Sequence, residues 1–376
     1  MHTPTTLTLT LILGTAALAQ PPADPPASPA PPVPAAAVAP APIPAPPTLV
    51  IGDPAPALVV NAWIKGSPVE SFAKGRVYAV EFWSTTAPPS RKTAPVLSEL
   101  QSLFKDKKLT IIGVCVGEPG GRPEVEAYAR RMGPMMGFTI AYDAEGRAAQ
   151  AYLQASGQDS LPVAFVIDAD GRVAWIGHPL DNLDRVLPQV LAGTHDLAKA
   201  RAAQVRRAAA DAKARPLITE LENHFVAGET DMALEKMDAL AAIDPPITGD
   251  WAVNKFAFIL LQKKDPTKAY AYAAAALDGV IKDNADALKA ISWMILDEPG
   301  VEPRDRALSL RLARRADELT AHADASVLDT LARALFETGR TTEAVKAQSL
   351  AVETGILPSQ KREMEQRLRL YRGDKK

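Results

Sequence analysis

Residues 82–92 read FWSTTAPPSRK. The run that leads into them, RVYAVEFW (76–83), has the composition of a buried strand. The stretch that follows, about 89–104, has helical spacing. The loop is therefore a strand-to-helix turn. Further apolar runs lie at LTIIGVCV (109–116), FTIAY (138–142) and VAFVID (163–168), most of them rich in β-branched residues, as central strands covered on both faces are. Helix-like stretches fall at about 123–132 and 146–154. DADGRVAWIG adds an Asp170-Gly171 turn and a closing strand, a hairpin signal. This alternation predicts a mixed sheet with helices on both faces.

From about 195 to 372 the pattern changes. Ala and Leu recur at helical spacing, broken by AGET, DPP, KKDP, EPGVEP and ETGR. A stack of antiparallel helices is expected. In VLDTLARALFETGRTTEAVKAQSLAVE (327–353), Leu328, Leu331, Ala332, Leu335, Gly339, Ala344 and Ala351 stand at the spacing of a tetratricopeptide repeat. Small residues let two helices approach, large ones fill between them, and Gly makes the turn. A second copy carries Val253, Phe256, Ala257, Leu260, Ala269 and Ala276, and a third carries Gly228, Ala233 and Pro245. The basic run Lys199, Arg201, Arg206, Arg207 reads as a solvated helical connector rather than a membrane patch.

The amino-terminal end is different again. An apolar stretch from about Leu7 to Ala17 ends in Ala17-Leu18-Ala19, the small-x-small pattern of a cleavage site. It is too short to span a bilayer as a helix. Export is expected, with a mature chain beginning at Gln20. No Cys follows the cleavage site to carry a lipid. Residues 21–47 contain thirteen prolines, with Ala as most of the remainder. Such a segment reads as a semi-rigid spacer with a reach of about 80 Å. The chain of 376 residues is 47% hydrophobic and 23% charged with a net charge of −2. Nothing in that balance favours nucleic acid or an anionic membrane as partner. Disulfides are permitted outside the cytoplasm, yet there is one cysteine, Cys115, so the fold rests on its core.

Residues 50–193 resemble the exported thioredoxin-like domains of the TlpA/ResA type, also called redoxin domains. The resemblance rests on IGDPAPAL, on KGRVYAVEFW running into STTAPPSRK, on LPVAFVIDADGRV and on WIGHP. In that family the loop reads like FWATWCGPCRK. The resemblance puts Thr86 at the tryptophan position, Ala87 at the first cysteine, Pro88 at the glycine, Pro89 at the proline and Ser90 at the second cysteine. Phe82, Trp83, Arg91 and Lys92 match. The first cysteine works as a thiolate favoured by a helix N-terminus. Alanine has no nucleophile, and a serine hydroxyl cannot resolve a mixed disulfide. Peroxide-reducing relatives place their cysteine in the same loop, so neither chemistry has its thiol here.

The resemblance also implies which parts remain. Leu161-Pro162 matches the X-cis-Pro that offers backbone groups to an extended peptide. Trp83, Thr86, Pro88, Pro89, Leu161 and Pro162 would then form a peptide-binding groove. Glu81 takes the position of a buried acid, here without a cysteine to serve. It is expected to be partly solvated or to have a raised pKa, or else to be salt-bridged or water-facing. Cys115 falls near the carboxyl end of a strand, where ligands bind, but reads first as a small, half-buried hydrophobe. The MGPMM cluster (132–136) reads as packing rather than a soft-metal site. The histidines are too scattered for a metal, no Gly-rich phosphate loop is present, and no cofactor is expected.

The organisation expected is thus a signal segment (1–19), a Pro/Ala linker (20–48), an α/β thioredoxin-like domain (49–194), a helical connector (195–215) and all-α tetratricopeptide-like repeats (216–372). The function expected is that of a protein- or peptide-binding or scaffold module of the cell envelope or periplasm, without the dithiol chemistry of the family and without a membrane span after cleavage. The alternative is a thiol-disulfide oxidoreductase or peroxiredoxin-type enzyme that uses Cys115 or a partner's thiol.

Overall fold

The computed structural model describes residues 47–374. The expected signal segment and nearly all of the expected Pro/Ala linker lie outside the described residues. Six strands form one sheet: β1 (Ala62–Lys65), β2 (Val77–Trp83), β3 (Leu109–Val116), β4 (Thr139–Asp143), β5 (Val163–Ile167) and β6 (Val173–Gly177), in the order β1-β4-β3-β2-β5-β6. β2, β3 and β4 are parallel, while β1, β5 and β6 run against their neighbours. Every residue of β2 is buried, because helices cover both faces. The strands expected from the apolar runs are present to within a residue. β1 was not expected: it is a short edge strand whose register breaks between Trp63 and Lys65.

On one face lie α1 (Ser90–Phe104), α2 (Gly121–Met132) and α4 (Leu183–Ala192), which bury Leu97, Leu100, Val125, Tyr128, Leu183 and Leu187 against Ala79, Trp83, Ile111 and Cys115. On the other lie the segment from Leu49 to Leu58 and α3 (Arg147–Ala149), which continues as a π-helical turn over Gln150–Gln154. This is the thioredoxin-like mixed sheet.

The rest is helical: α5 (Leu197–Val226), α6 (Thr230–Ala242), α7 (Pro245–Thr248), α8 (Asp250–Ala257), α9 (Pro266–Asp278), α10 (Ala285–Asp297), α11 (Arg306–Leu319), α12 (Ala325–Glu337), α13 (Thr341–Thr354) and α14 (Pro358–Arg372). α12 and α13 form the hairpin expected from the sequence, turning at Gly339 with φ 78°, a backbone state that favours glycine. Ala332, Ala344 and Ala351 are buried at the contact. Gly228, φ 75°, makes the corresponding turn between α5 and α6. This half is all-α among the described residues, in keeping with helical repeats.

Two features differ from the sequence reading. α5 runs unbroken past residue 215, so the connector and the first repeat helix are one element of 30 residues. Its basic residues are also not simply solvated. Arg201 pairs with Asp53 at 3.3 Å, and Arg206 binds Asp244 through two nitrogens at 2.6 and 2.7 Å.

The helical array meets the first domain at both of its ends. At the start, Leu197 and Ala200 pack on the sheet, and Gln204 accepts the Ile51 N–H at 2.8 Å. At the far end, Leu357 is 1% exposed within the core built by α1 and α4. Ser359 donates to Glu99 at 2.6 Å, and Arg185 pairs with Asp324.

Candidate functional site

β2 ends at Trp83, and the chain turns through residues 84–89 into α1. The turn is closed by its own backbone: Ala87 N–H donates to Ser84 O at 3.3 Å, Ser90 N–H to Ala87 O at 3.0 Å and Arg91 N–H to Pro88 O at 3.3 Å. Ser84 and Thr86 share a hydroxyl hydrogen bond at 2.9 Å. Glu118, just beyond β3, holds the loop from the side. Its Oε2 accepts the Thr85 hydroxyl at 2.6 Å and the Thr85 N–H at 3.2 Å. The sequence reading missed Glu118, since 33 residues separate it from Thr85 and no local pattern joins them.

The loop presents its positions unequally. Thr86, Pro88 and Pro89 are exposed, Ala87 is half-buried, and Ser90 is 4% exposed. The Ser90 hydroxyl and Trp83 Nε1 are buried without a hydrogen-bond partner. Trp83 is 2% exposed, its ring 5.4 Å from that of Tyr128. It supports the loop from beneath and does not face a ligand, contrary to its expected place in the groove.

Beneath this loop sits Glu81, 2% exposed, between Gly113 of β3 and Ala164 of β5. A Cβ at Gly113 would lie 2.8 Å from Phe138 and 3.0 Å from Trp83 Nε1, so glycine makes room for the indole. Burial pushes the Glu81 carboxyl up to about 8, against the pull of its hydrogen bond with Thr93. Of the alternatives for this side chain, the raised pKa holds. Glu81 is neither salt-bridged nor water-facing.

Cys115 lies beside Trp83 at the carboxyl end of β3. It is 0% exposed rather than half-buried. Burial pushes its thiol up to about 12, and the charge of Glu118, whose Oε2 is 4.0 Å from Sγ, adds to the shift. A thiol so placed does not present a nucleophile.

The Leu161–Pro162 peptide is cis. Pro162 directly precedes β5, whose Val163 pairs with Phe82 of β2, so this dipeptide and the 84–90 loop stand at the same edge of the sheet. Leu161 is half-buried and Pro162 buried. Among the described residues, neither Ser160 nor Leu161 has a main-chain hydrogen-bond partner. The exposed surface at this edge is thus Thr86, Pro88, Pro89 and part of Leu161: mostly apolar, with free backbone beside it.

The other candidates resolve into packing. Met136 is buried in the core, while Met135 is exposed. His195 bonds the Ala174 carbonyl at 2.9 Å, and His322 bonds Asp317 at 2.6 Å. Among the described residues, no group of three or more His, Cys, Asp or Glu is placed to hold a metal ion, and no helix is long and apolar enough to cross a membrane.

Residues 51–176 match the AhpC/TSA family. Protein FixW of Rhizobium leguminosarum is 34% identical over 154 residues, which cover 39% of this chain and 68% of FixW. Thiol-disulfide oxidoreductase ResA of Geobacillus kaustophilus (strain HTA426) is 31% identical over 129 residues, 34% of this chain and 69% of ResA. Among solved structures, a thioredoxin family thiol:disulfide interchange protein from Chlorobium tepidum TLS is 26% identical, covering 37% of this chain and 98% of its own, with a TM-score of 0.32. The chain therefore belongs to the AhpC/TSA redoxin family, with the thiol-disulfide oxidoreductase ResA among its relatives.

Proposed function

We propose that this protein is an exported, redox-inactive redoxin that binds extended protein segments at the edge formed by the 84–90 loop and Leu161–Pro162. The single observation that carries the reading is the pair Ala87 and Ser90. The scaffold of a disulfide exchanger is kept while both reacting atoms are missing, and the remaining thiol is closed off and protonated. What such a scaffold retains is substrate recognition. An extended chain would pair with the free backbone at Ser160 and Leu161 and lie on Pro88, Pro89 and Thr86. The helical repeats, read as tetratricopeptide-like, would offer a second surface for the same or another partner in the envelope.

Two measurements on the full mature chain test this. Insulin reduction by dithiothreitol should proceed at the uncatalysed rate. A permanently unfolded, cysteine-free polypeptide should shift the amide resonances of Thr86 and Leu161 in a saturable way, and Leu161→Asp should abolish those shifts. Catalysed reduction, or no shift at either residue, overturns the proposal.

A further inference from the structure

At the other end of β2, a cavity of about 540 Å³ opens against the amino ends of the central strands. β2 is seven residues long, so this cavity is roughly 20 Å from the redoxin loop. Its lining is mixed: Val69 is half-buried, Tyr78 and Phe138 show only their edges at 4% exposure each, and Ser67, Gln101, Thr110 and Thr139 are polar. Two cations flank it, Lys65 from the end of β1 and Arg76 just before β2. Among the described residues, no acidic side chain lines it.

The charge at this place is uncompensated. Lys65 Nζ donates to the Met136 carbonyl at 2.7 Å, and Arg76 Nη2 donates to the Thr110 hydroxyl at 3.0 Å. Both acceptors are neutral. Among the described residues, neither cation has a carboxylate within ion-pair distance, although most arginines of the helical half are so paired. Lys74, Lys105, Lys107 and Lys108 stand on the segments around the same edge, with Lys107 5.7 Å from the Phe104 ring. Lys108 is brought there by its carbonyl, which accepts the Val77 N–H at 3.1 Å. Glu70 and Asp106 are the acids nearest in sequence, and neither lines the cavity. Arg76 is half-buried with most of its five donors unused. A partly desolvated guanidinium without a counterion is costly, and an anion is its natural complement.

We propose that this cavity binds a small organic anion: a phosphate monoester or carboxylate held by Arg76 and Lys65, with its organic body beside the half-buried Val69. The fork of Arg76 suits a two-oxygen anion, and the Thr110 hydroxyl fixes its plane. The site is independent of the peptide edge.

The test uses the full mature chain, amide resonances of Thr110 and Gly137 as reporters, and phenyl phosphate as probe. Saturable shifts confined to the cavity are expected, with affinity at least about tenfold weaker in Arg76→Gln and weakened in Lys65→Gln. Circular dichroism and the melting temperature of each variant establish that it is folded, and Lys65→Gln stands in should Arg76→Gln not fold. Inorganic phosphate should bind more weakly than phenyl phosphate, since it lacks the organic body. Equal affinity for the two overturns the organic-anion assignment. Shifts that appear only with vesicles of phosphatidylglycerol assign the charge to a lipid surface and overturn the proposal. So do shifts that the two substitutions leave unchanged.

Discussion

Glu81 and Thr93 share a hydrogen bond of 2.5 Å with both side chains shut away from water. The Thr93 hydroxyl also reaches the Ser90 carbonyl at 2.9 Å. The Thr93 hydroxyl has one proton to share between the two oxygens, so its bond to Glu81 only partly offsets the burial that favours the protonated carboxyl.

The pH dependence follows from this pair. An unfolded Glu81 titrates near 4.5 and the folded one near 8. Between those values the folded state holds a proton that the unfolded state has released, so the unfolded state binds fewer protons and stability falls as pH rises. The contribution is complete below about 4.5 and is lost as pH passes through about 8. Glu81→Gln keeps the neutral shape without the titration. Its melting temperature should decline less than that of wild type between pH 5 and 9. A wild-type profile as flat as the variant's would show that Glu81 is ionised in the fold.

Cys115 should be silent to thiol reagents in the native protein. A thiol near 12 instead of its ordinary value holds roughly a thousandfold less thiolate at neutral pH. Its burial adds a steric barrier. Labelling should be slow until denaturant is added, then fast and stoichiometric. Rapid labelling of the folded chain would favour an enzyme that uses this thiol.

The helical half should stabilise the redoxin half. Leu357 belongs by sequence to the last helices but by packing to the core under α1 and α4. Leu357→Ala should cost about 2–5 kcal/mol and should increase hydrogen exchange in α1. If exchange rises only in α13 and α14, the contact does not couple the halves. Fragments 48–195 and 214–376 should each fold, the second with a purely helical circular-dichroism spectrum. The first should melt below the intact chain, because it lacks Leu357 and the Glu99–Ser359 bond.

Much of this was legible in the chain. β2 to β5 are central strands whose burial on both faces leaves continuous apolar runs. The α12–α13 hairpin was legible because small residues and Gly339 sit at fixed positions. β1 was not, since AWIK is four residues at an exposed edge with a break in register. α4 escaped notice because Pro188 interrupts its helical composition. The α10–α11 hairpin was not read as a repeat: its contact is built on Ile, Leu and a Ser292–Ser309 hydroxyl pair at 2.8 Å, outside the small-residue pattern. At the site, identities were readable but partners were not. Glu118 under Thr85 and Leu357 under α1 are contacts between distant parts of the chain, which only the folded topology brings together.

The loop itself offers the sharpest test. Ala87 is half-buried and Ser90 buried, three residues apart across the first turn of α1, with the Ser90 N–H bonded to the Ala87 carbonyl. One half-buried and one buried position at a helix start suit an attacking and a resolving thiol. Ala87→Cys combined with Ser90→Cys should therefore form a disulfide under oxidising conditions, seen as a mass loss of two hydrogen atoms and the loss of two titratable thiols. The Ser90 hydroxyl now has no hydrogen-bond partner, so a sulfur there forfeits none. The helix N-terminus should favour the thiolate at position 87. Insulin reduction should rise above the wild-type background, and each single variant should trap mixed disulfides or stay silent rather than turn over. Pro88, where the family has glycine, stiffens the turn and should shift the redox potential of the new pair. A folded double variant that cannot bridge its two thiols would show that 87 and 90 are not the positions of the lost cysteines, and the reading of this protein as a redoxin stripped of its chemistry would fall.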